Sequence, residues 1–324
     1  MKKLVLTAVC AVFLGAPASA VTVDWVSVGD AGNAADPSTG SLYGAVATPY
    51  RIGKTEVTNA QYAEFLNTVD SSGANTLALY NANMEAFSVG GIGFVGGNPN
   101  GSKYVVKGGF ASKPVNFVSF YDTLRFANWL HNGQGAGRTE TGAYTLLGGT
   151  PIPSNGLTVT RNVGVATIFL TSEDEWYKAA YYDASTLSYN PYPFADGFNG
   201  AACEWPAGTT SHSAGCWPAI GPQAALTDVG AYTGSPSEYG TFDQGGNVWE
   251  WNEAIIDGSS RGVRGGTLLL LNPGGFAASA RDERGPTDED SLRGFRVASL
   301  PEPGSGLLLM MGMLGLGVWR RRCS

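Results

Sequence analysis

Residues able to do acid–base, nucleophilic or metal chemistry are sparse in this chain. It has only two histidines, His131 and His212. Any nucleophile–histidine–acid triad or imidazole metal site must use one of them. His131 falls at the end of a predicted helix, where a cation complements the dipole, so a helix-end role is expected. His212 stands in a Ser/Gly loop with no partner at ligand spacing. There is no HExxH, no GxSxG and no phosphate-binding glycine loop, so neither zinc hydrolysis nor nucleotide chemistry is supported. No catalytic residue is assigned.

One stretch stands out, DQGGNVWEWNEA at 243–254. A glycine turn runs into two tryptophans that bracket a glutamate. Strand alternation sends Trp249 and Trp251 to one face and Glu250 to the other. Glu250 is then either a solvated residue of an edge strand or an inward ligand on a buried turn. A second stretch, RGGTLLLLNPGGF from Arg264 to Phe276, runs from an arginine and two glycines into leucine, proline and glycine.

Three helices must position these segments. In VTNAQYAEFLNTV, Thr58 is a predicted N-cap and Gln61 completes a capping box, with Tyr62, Phe65, Leu66 and Val69 on one face. In PVNFVSFYDTLRFANWLHN, Ser119 caps with Asp122 three residues on, and Leu124–Leu130 supplies an amphipathic run. In LTSEDEWYKAAYY, Thr171 or Ser172 caps, and Trp176, Ala179 and Ala180 face inward. The charged residues of all three are expected on solvated faces. Between them lie Gly-, Asn-, Ser- and Pro-rich stretches with short strands such as KYVV and ATIFL. The chain has 46 glycines and only 15% charged residues, which favours loops over long helices. The reading is α+β, one domain at 21–300, with few regular elements.

The net charge of −7 and pI near 4.9 argue against a nucleic-acid partner. MKKLVLTAVCAVFLGAPASA has two lysines, a short apolar run and an Ala-Ser-Ala cleavage site, so residues 1–20 read as a secretory signal peptide. Export puts Cys203 and Cys216 in an oxidising compartment, where a disulfide between them is expected.

The ending LPEPGSGLLLMMGMLGLGVWRRRCS places Pro301-Glu302-Pro303, an apolar run and Arg320–Arg322 in order. It resembles the PEP-CTERM sorting signal of Gram-negative bacteria. That resemblance implies exosortase-type machinery as a partner, a transmembrane helix within 301–324, and transient anchoring in the inner membrane. Residues 21–300 would then reach the cell surface or extracellular matrix.

The order of YRIGKTEVTNAQYAEFLN, PVNFVSFYDTLRFANWL, LTSEDEWYKAAYY, GTFDQGGNVWEWNEA, RGVRGGT and LRGFRVAS resembles the formylglycine-generating enzyme (sulfatase-modifying factor) family over roughly residues 24–300. The resemblance implies a modified C-type-lectin-like fold with long loops and bound calcium. Carried onto this chain, the Ca²⁺ ligands would be the side chains of Asp243 and Glu250 with the carbonyls of Gly246 and Val248. Active members use a cysteine pair shortly after the RGG motif to hold Cu(I). Leucine, proline and glycine fill 268–275 here, and leucine offers a soft metal no lone pair, so copper is not expected. What remains is a groove edged by Arg264, Leu268, Leu270, Phe276, Arg281 and Arg296. It would take a peptide or polysaccharide, or those arginines are structural ion pairs. The expectation is an exported binding protein without catalysis; the alternative is an oxidase of protein cysteines or another oxidoreductase.

Overall fold

The structure is a computed structural model, and it describes residues 20–197, 200–204, 208–214, 225–270 and 272–301. The signal peptide read at 1–20, apart from Ala20, lies outside the described residues, as do Cys216 and the sorting segment beyond Pro301.

Two four-stranded sheets organise the domain. The first has the order β1 (Trp25–Val28), β2 (Tyr50–Gly53), β14 (Val297–Ser299), β5 (Ile168–Leu170), antiparallel throughout. The N-terminal hairpin thus pairs directly with the last strand, and both ends of the domain share one sheet. The second has the order β12 (Asp282–Arg284), β11 (Ser260–Arg264), β10 (Trp249–Ile256), β13 (Arg293–Gly294), with β13 parallel to β10. Three two-stranded pieces complete the strands: β3 (Ile92–Phe94) with β4 (Tyr104–Val106), β6 (Tyr182–Asp183) with β7 (Ser188–Tyr189), and β8 (Ala202–Cys203) with β9 (Ser213–Ala214). Among the described residues no helix is long and apolar enough to cross a membrane.

The helices form where capping chemistry specifies them. α1 (Asn59–Val69) starts at Thr58 and α3 (Phe120–His131) at Ser119, each with a complete capping box; α2 (Asn83–Ala86) is one short turn. α4 (Glu173–Tyr181) starts at Ser172, whose side chain accepts the Glu175 N–H while Glu175 returns to the Ser172 N–H.

α3 is not amphipathic. Every residue from Phe120 to Leu130 is buried, because α3 runs through the middle of the core, and Phe126 meets Phe65 and Phe295 edge-on at 5.3 Å. The expectation of solvated charged faces therefore fails for Asp122 and Arg125 of α3 and for Glu173, Glu175 and Lys178 of α4, whereas Glu64 of α1 and Asp174 of α4 are half-buried. Arg125 is buried and gives Nε to Glu140 at 2.7 Å and Nη1 to the Pro151 carbonyl at 3.0 Å. Lys178 on α4 spends its ammonium on the carbonyls of Gly29 and Asp30, both at 2.7 Å. Long polar side chains inside a loop-rich fold satisfy carbonyls that no strand partner reaches.

Candidate functional site

The glycine turn before β10 is built from left-handed residues. Asp243 and Asn247 have φ of 61° and 57°, a conformation short amide and carboxylate side chains tolerate. Gly246, at φ 94°, turns its N–H onto the Gly265 carbonyl at 2.8 Å and ties this turn to the RGG segment. β10 is then buried on both faces. On one, Trp251 donates Nε1 to the Val118 carbonyl at 3.0 Å. On the other, Glu250 is fully buried and accepts from Trp176 Nε1 at 2.7 Å, Arg296 Nε at 2.5 Å and Arg296 Nη2 at 2.6 Å. Glu250 is thus neither solvated nor an open ligand. Three of roughly four acceptor positions on its carboxylate are engaged.

A second carboxylate, which sequence reasoning missed, stands beside this turn. Glu56 is buried, both of its oxygens lack a hydrogen-bond partner, and it senses Asp243 and Glu250. Burial first, then Asp243, pushes its carboxyl well above the usual range. Burial likewise pushes Asp243 up to about 6, against the Gly230 N–H and Arg296, which pull it down. Three buried carboxyl groups thus face one guanidinium, an excess that protons or a cation must neutralise. Nearby, Asn247 Nδ2 and Thr227 Oγ1 are also buried without partners. Among the described residues no three acidic, His or Cys side chains converge as a metal group. The donors that fit a hard dication are the carboxyls of Glu56 and Asp243, since Glu250 is committed to Arg296. Glu56 could have been picked out in GKTEVTN as a carboxylate two residues before an N-cap, but its spacing alone named no role.

The described residues of the segment after RGG pack inward at Leu268 and Phe276, while Leu269 is exposed. Arg264 is buried and gives Nε to Glu173 at 2.8 Å and Nη1 to the carbonyls of Ala278 and Ala280 at 3.1 and 2.6 Å. Gly265 and Gly266, at φ 97° and 77°, then reverse the chain. Leu268 and Phe276 are buried, and Leu270 folds over Gly275, where an added Cβ would lie 2.3 Å from its Cδ1. Of the six groove residues, Arg264, Leu268, Phe276 and Arg296 are interior and Leu270 fills the space between glycines. The arginines are there because two buried carboxylates, Glu173 and Glu250, need partners. Cys203 is disulfide-bonded and packs partly against the cluster of Phe194, Ala214 and Phe276, as Leu270 does.

Arg281, by contrast, lines a cavity. It gives Nε and Nη2 to Glu173 at 2.8 and 2.7 Å, and its guanidinium lies 5.5 Å from the Tyr43 ring. The hollow beside it measures about 440 Å³ and is walled by Tyr43, Thr160, Arg161, Ser172, Asp174 and Glu253, with Leu42 and Ile255 exposed at the rim. Arg161 is spent inside the wall: it forks between Glu175 and Glu253 at 2.7–2.9 Å and stacks on Phe169 at 3.6 Å. Asp174 accepts the Gly44 N–H at 2.8 Å, and burial raises its carboxyl. The pocket offers hydroxyls, carboxylates, a guanidinium edge and one aromatic face, a set suited to hydrogen-bonding a polyhydroxyl or peptide group. Asp174 and Glu253 lie in the quoted stretches LTSEDEWYKAAYY and DQGGNVWEWNEA without being singled out there, and Arg161 lies outside every quoted motif.

The histidines take structural places. His131 accepts the Thr167 N–H on Nδ1 at 3.2 Å, and burial lowers its pKa, which works against the charged helix-end role expected of it. His212 pairs with Asp196 at 3.0 Å.

Comparison with known proteins places this architecture. The family described as sulfatase-modifying factor enzyme 1-like domain matches residues 27–300, and the chain belongs to it. Two solved structures share the fold at TM-scores of 0.54 and 0.53. They are CarF (19% identity, covering 87% of this chain and 99% of that one) and variable protein 1 of Treponema denticola (19% identity, 88% and 98%). PvdO from Pseudomonas aeruginosa also matches, at 18% identity and a TM-score of 0.45, over 79% of this chain and 82% of that one. No curated protein matches the chain. The mixed α/β architecture, with few helices, short strands and long loops, is consistent with the C-type-lectin-like fold expected from the sequence.

Proposed function

We propose that this chain is an exported, surface-associated binding protein that uses the family scaffold without its oxidase chemistry. The observation that carries the reading is the packing of the segment after RGG. It holds no cysteine, its Leu268 and Phe276 are interior, and Leu270 covers Gly275. Copper would find no thiolate there. The binding site moves to the pocket beside Arg281, where a polysaccharide hydroxyl array or a peptide would meet Ser172, Asp174, Glu253 and the Tyr43 face.

The signal peptide and the PEP-CTERM-like ending support export through exosortase-type sorting to the surface or matrix of a Gram-negative bacterium. Calcium belongs to the same reading. Glu56 and Asp243 supply carboxylates, Gly246 and Val248 supply carbonyls, and Glu250 contributes at most its one remaining acceptor position; the ion would stiffen the turn that leads into β10.

The test is a glycan array and a peptide panel probed with the full chain and with Arg281→Met. Binding by the parent that Arg281→Met removes supports the reading. Blank arrays from both would leave the pocket without a ligand role.

A further inference from the structure

We propose that the pocket beside Arg281 takes a lysine side chain of a peptide, with the ammonium on Asp174 and the methylene stem against Leu42 and Ile255. The inference rests on reading that pocket as the binding site, and names the group it selects.

The ion pairs around the pocket leave one carboxylate over. Arg161 is shared by Glu175 and Glu253, and Glu173 is shared by Arg264 and Arg281. With Asp174, four carboxylates stand against three guanidiniums. Asp174 lines the cavity, is half-buried and forms no ion pair among the described residues. Its one hydrogen bond comes from the Gly44 N–H to Oδ1 at 2.8 Å, so Oδ2 is the uncommitted oxygen. Burial raises this carboxyl, and Glu173 and Glu175 add to the rise, although the Gly44 N–H and Arg264 pull it down. A cation in the pocket would relieve that cost. The start of α4 adds a partial positive charge of about half a unit, less than one carboxylate carries.

The lining favours an ammonium over a guanidinium, and an aliphatic stem over a sugar ring. Asp174 presents one free oxygen, not the pair that a guanidinium fork matches. An ammonium instead takes separate acceptors, and the hydroxyls of Thr160 and Ser172 belong to the same lining. At the rim Leu42 is 67% exposed and Ile255 45%, apolar surface along which a lysine stem can lie. The Tyr43 ring already carries the Arg264 guanidinium at 4.5 Å, which leaves less aromatic face for a sugar. Arg281 spends Nε and Nη2 on Glu173 and keeps Nη1 for a carbonyl of the peptide that bears the lysine. The site is also set in advance. The bond from Gly44 to Asp174 pins the loop that carries Leu42 and Tyr43 to the start of α4, and Gly44 holds a φ of 94° that glycine adopts without strain.

The experiment titrates the full chain, by fluorescence anisotropy, with pentapeptides Gly-Gly-X-Gly-Gly in which X is lysine, acetyllysine or arginine, and with a labelled oligomer of glucosamine. The peptides are labelled at the N-terminus and amidated, so lysine brings the only ammonium. The lysine peptide should bind about tenfold tighter than the other two. Asp174→Asn should lose that preference and bind the acetyllysine peptide as the parent does. Its amide keeps an oxygen for the Gly44 N–H, so its melting curve should match the parent's, which separates loss of charge from loss of fold. Leu42→Ser, at an exposed position, should weaken the lysine peptide several-fold. Equal affinity for lysine and acetyllysine, or an unchanged preference in Asp174→Asn, overturns the lysine assignment; the pocket reading survives if Arg281→Met still removes binding. Tighter binding of the glucosamine oligomer than of the lysine peptide overturns it too, in favour of an amine-bearing polysaccharide. No binding of any of the four probes overturns the pocket reading and the lysine assignment together.

Discussion

Arg296 grips Glu250 in a two-pronged ion pair, Nε to Oε2 at 2.5 Å and Nη2 to Oε1 at 2.6 Å, with neither side chain reaching solvent. The pair joins the end of the first sheet to the middle of the second, since Arg296 Nη1 also donates to the Gly53 carbonyl at 3.1 Å. Removing one partner leaves a buried charge alone. Arg296→Met or Glu250→Ala should each cost about 3–5 kcal/mol, and the double variant less than the sum of the two. Urea unfolding of the four proteins checks this; additive losses would mean the pair is not coupled.

Arg264 and Arg281 share Glu173 but are predicted to differ. Arg264 is interior and holds two carbonyls besides, so Arg264→Met should destabilise by about 3–5 kcal/mol. Arg281 is partly exposed at the pocket, so Arg281→Met should change stability by only about 0–1 kcal/mol while removing ligand binding. Melting curves and the glycan array, read together, separate the two roles.

Calcium added to chelator-treated protein should raise the melting temperature. At a hundredfold excess over Kd the gain is about 2.7 kcal/mol. Glu56→Gln and Asp243→Asn should each abolish it. A full calcium response in Glu56→Gln would remove Glu56 from the ligand set.

Stability should also depend on pH through Asp122. Burial first, then Glu289, raises its carboxyl from the ordinary 3.8 to about 7, although hydrogen bonds from Ser119 pull the other way. Between those values the folded chain holds a proton that the unfolded chain has released. That contribution is complete below 3.8 and is lost as pH climbs through about 7. Glu253 and Glu289 are shifted the same way, so Asp122→Asn should flatten the slope without removing it. Urea midpoints measured below and above the window give the answer; an unchanged slope would contradict the assignment.

Much of this architecture was legible in local sequence. Thr58 and Ser119 begin helices where their sequence signals place them, and of Thr171 and Ser172 it is Ser172 that caps α4, because that chemistry is complete within four residues. KYVV and ATIFL contain β4 and β5. The interior polar network was not legible. Arg161 meets Glu253 across 92 residues and Arg296 meets Glu250 across 46, and neither spacing has a local signature. For the same reason the groove read from Arg264, Leu268, Phe276 and Arg296 dissolved into the core. Residue types named the charges, but only the fold showed that other charges already held them.

The most direct test of the central claim is to give the full chain a cysteine peptide of the CxPxR type with Cu(I) and oxygen, and to weigh the product by mass spectrometry. An unchanged peptide is the predicted result, because the segment after RGG has no thiol and its Leu268 and Phe276 are interior. Appearance of the mass loss that marks formylglycine would contradict the account.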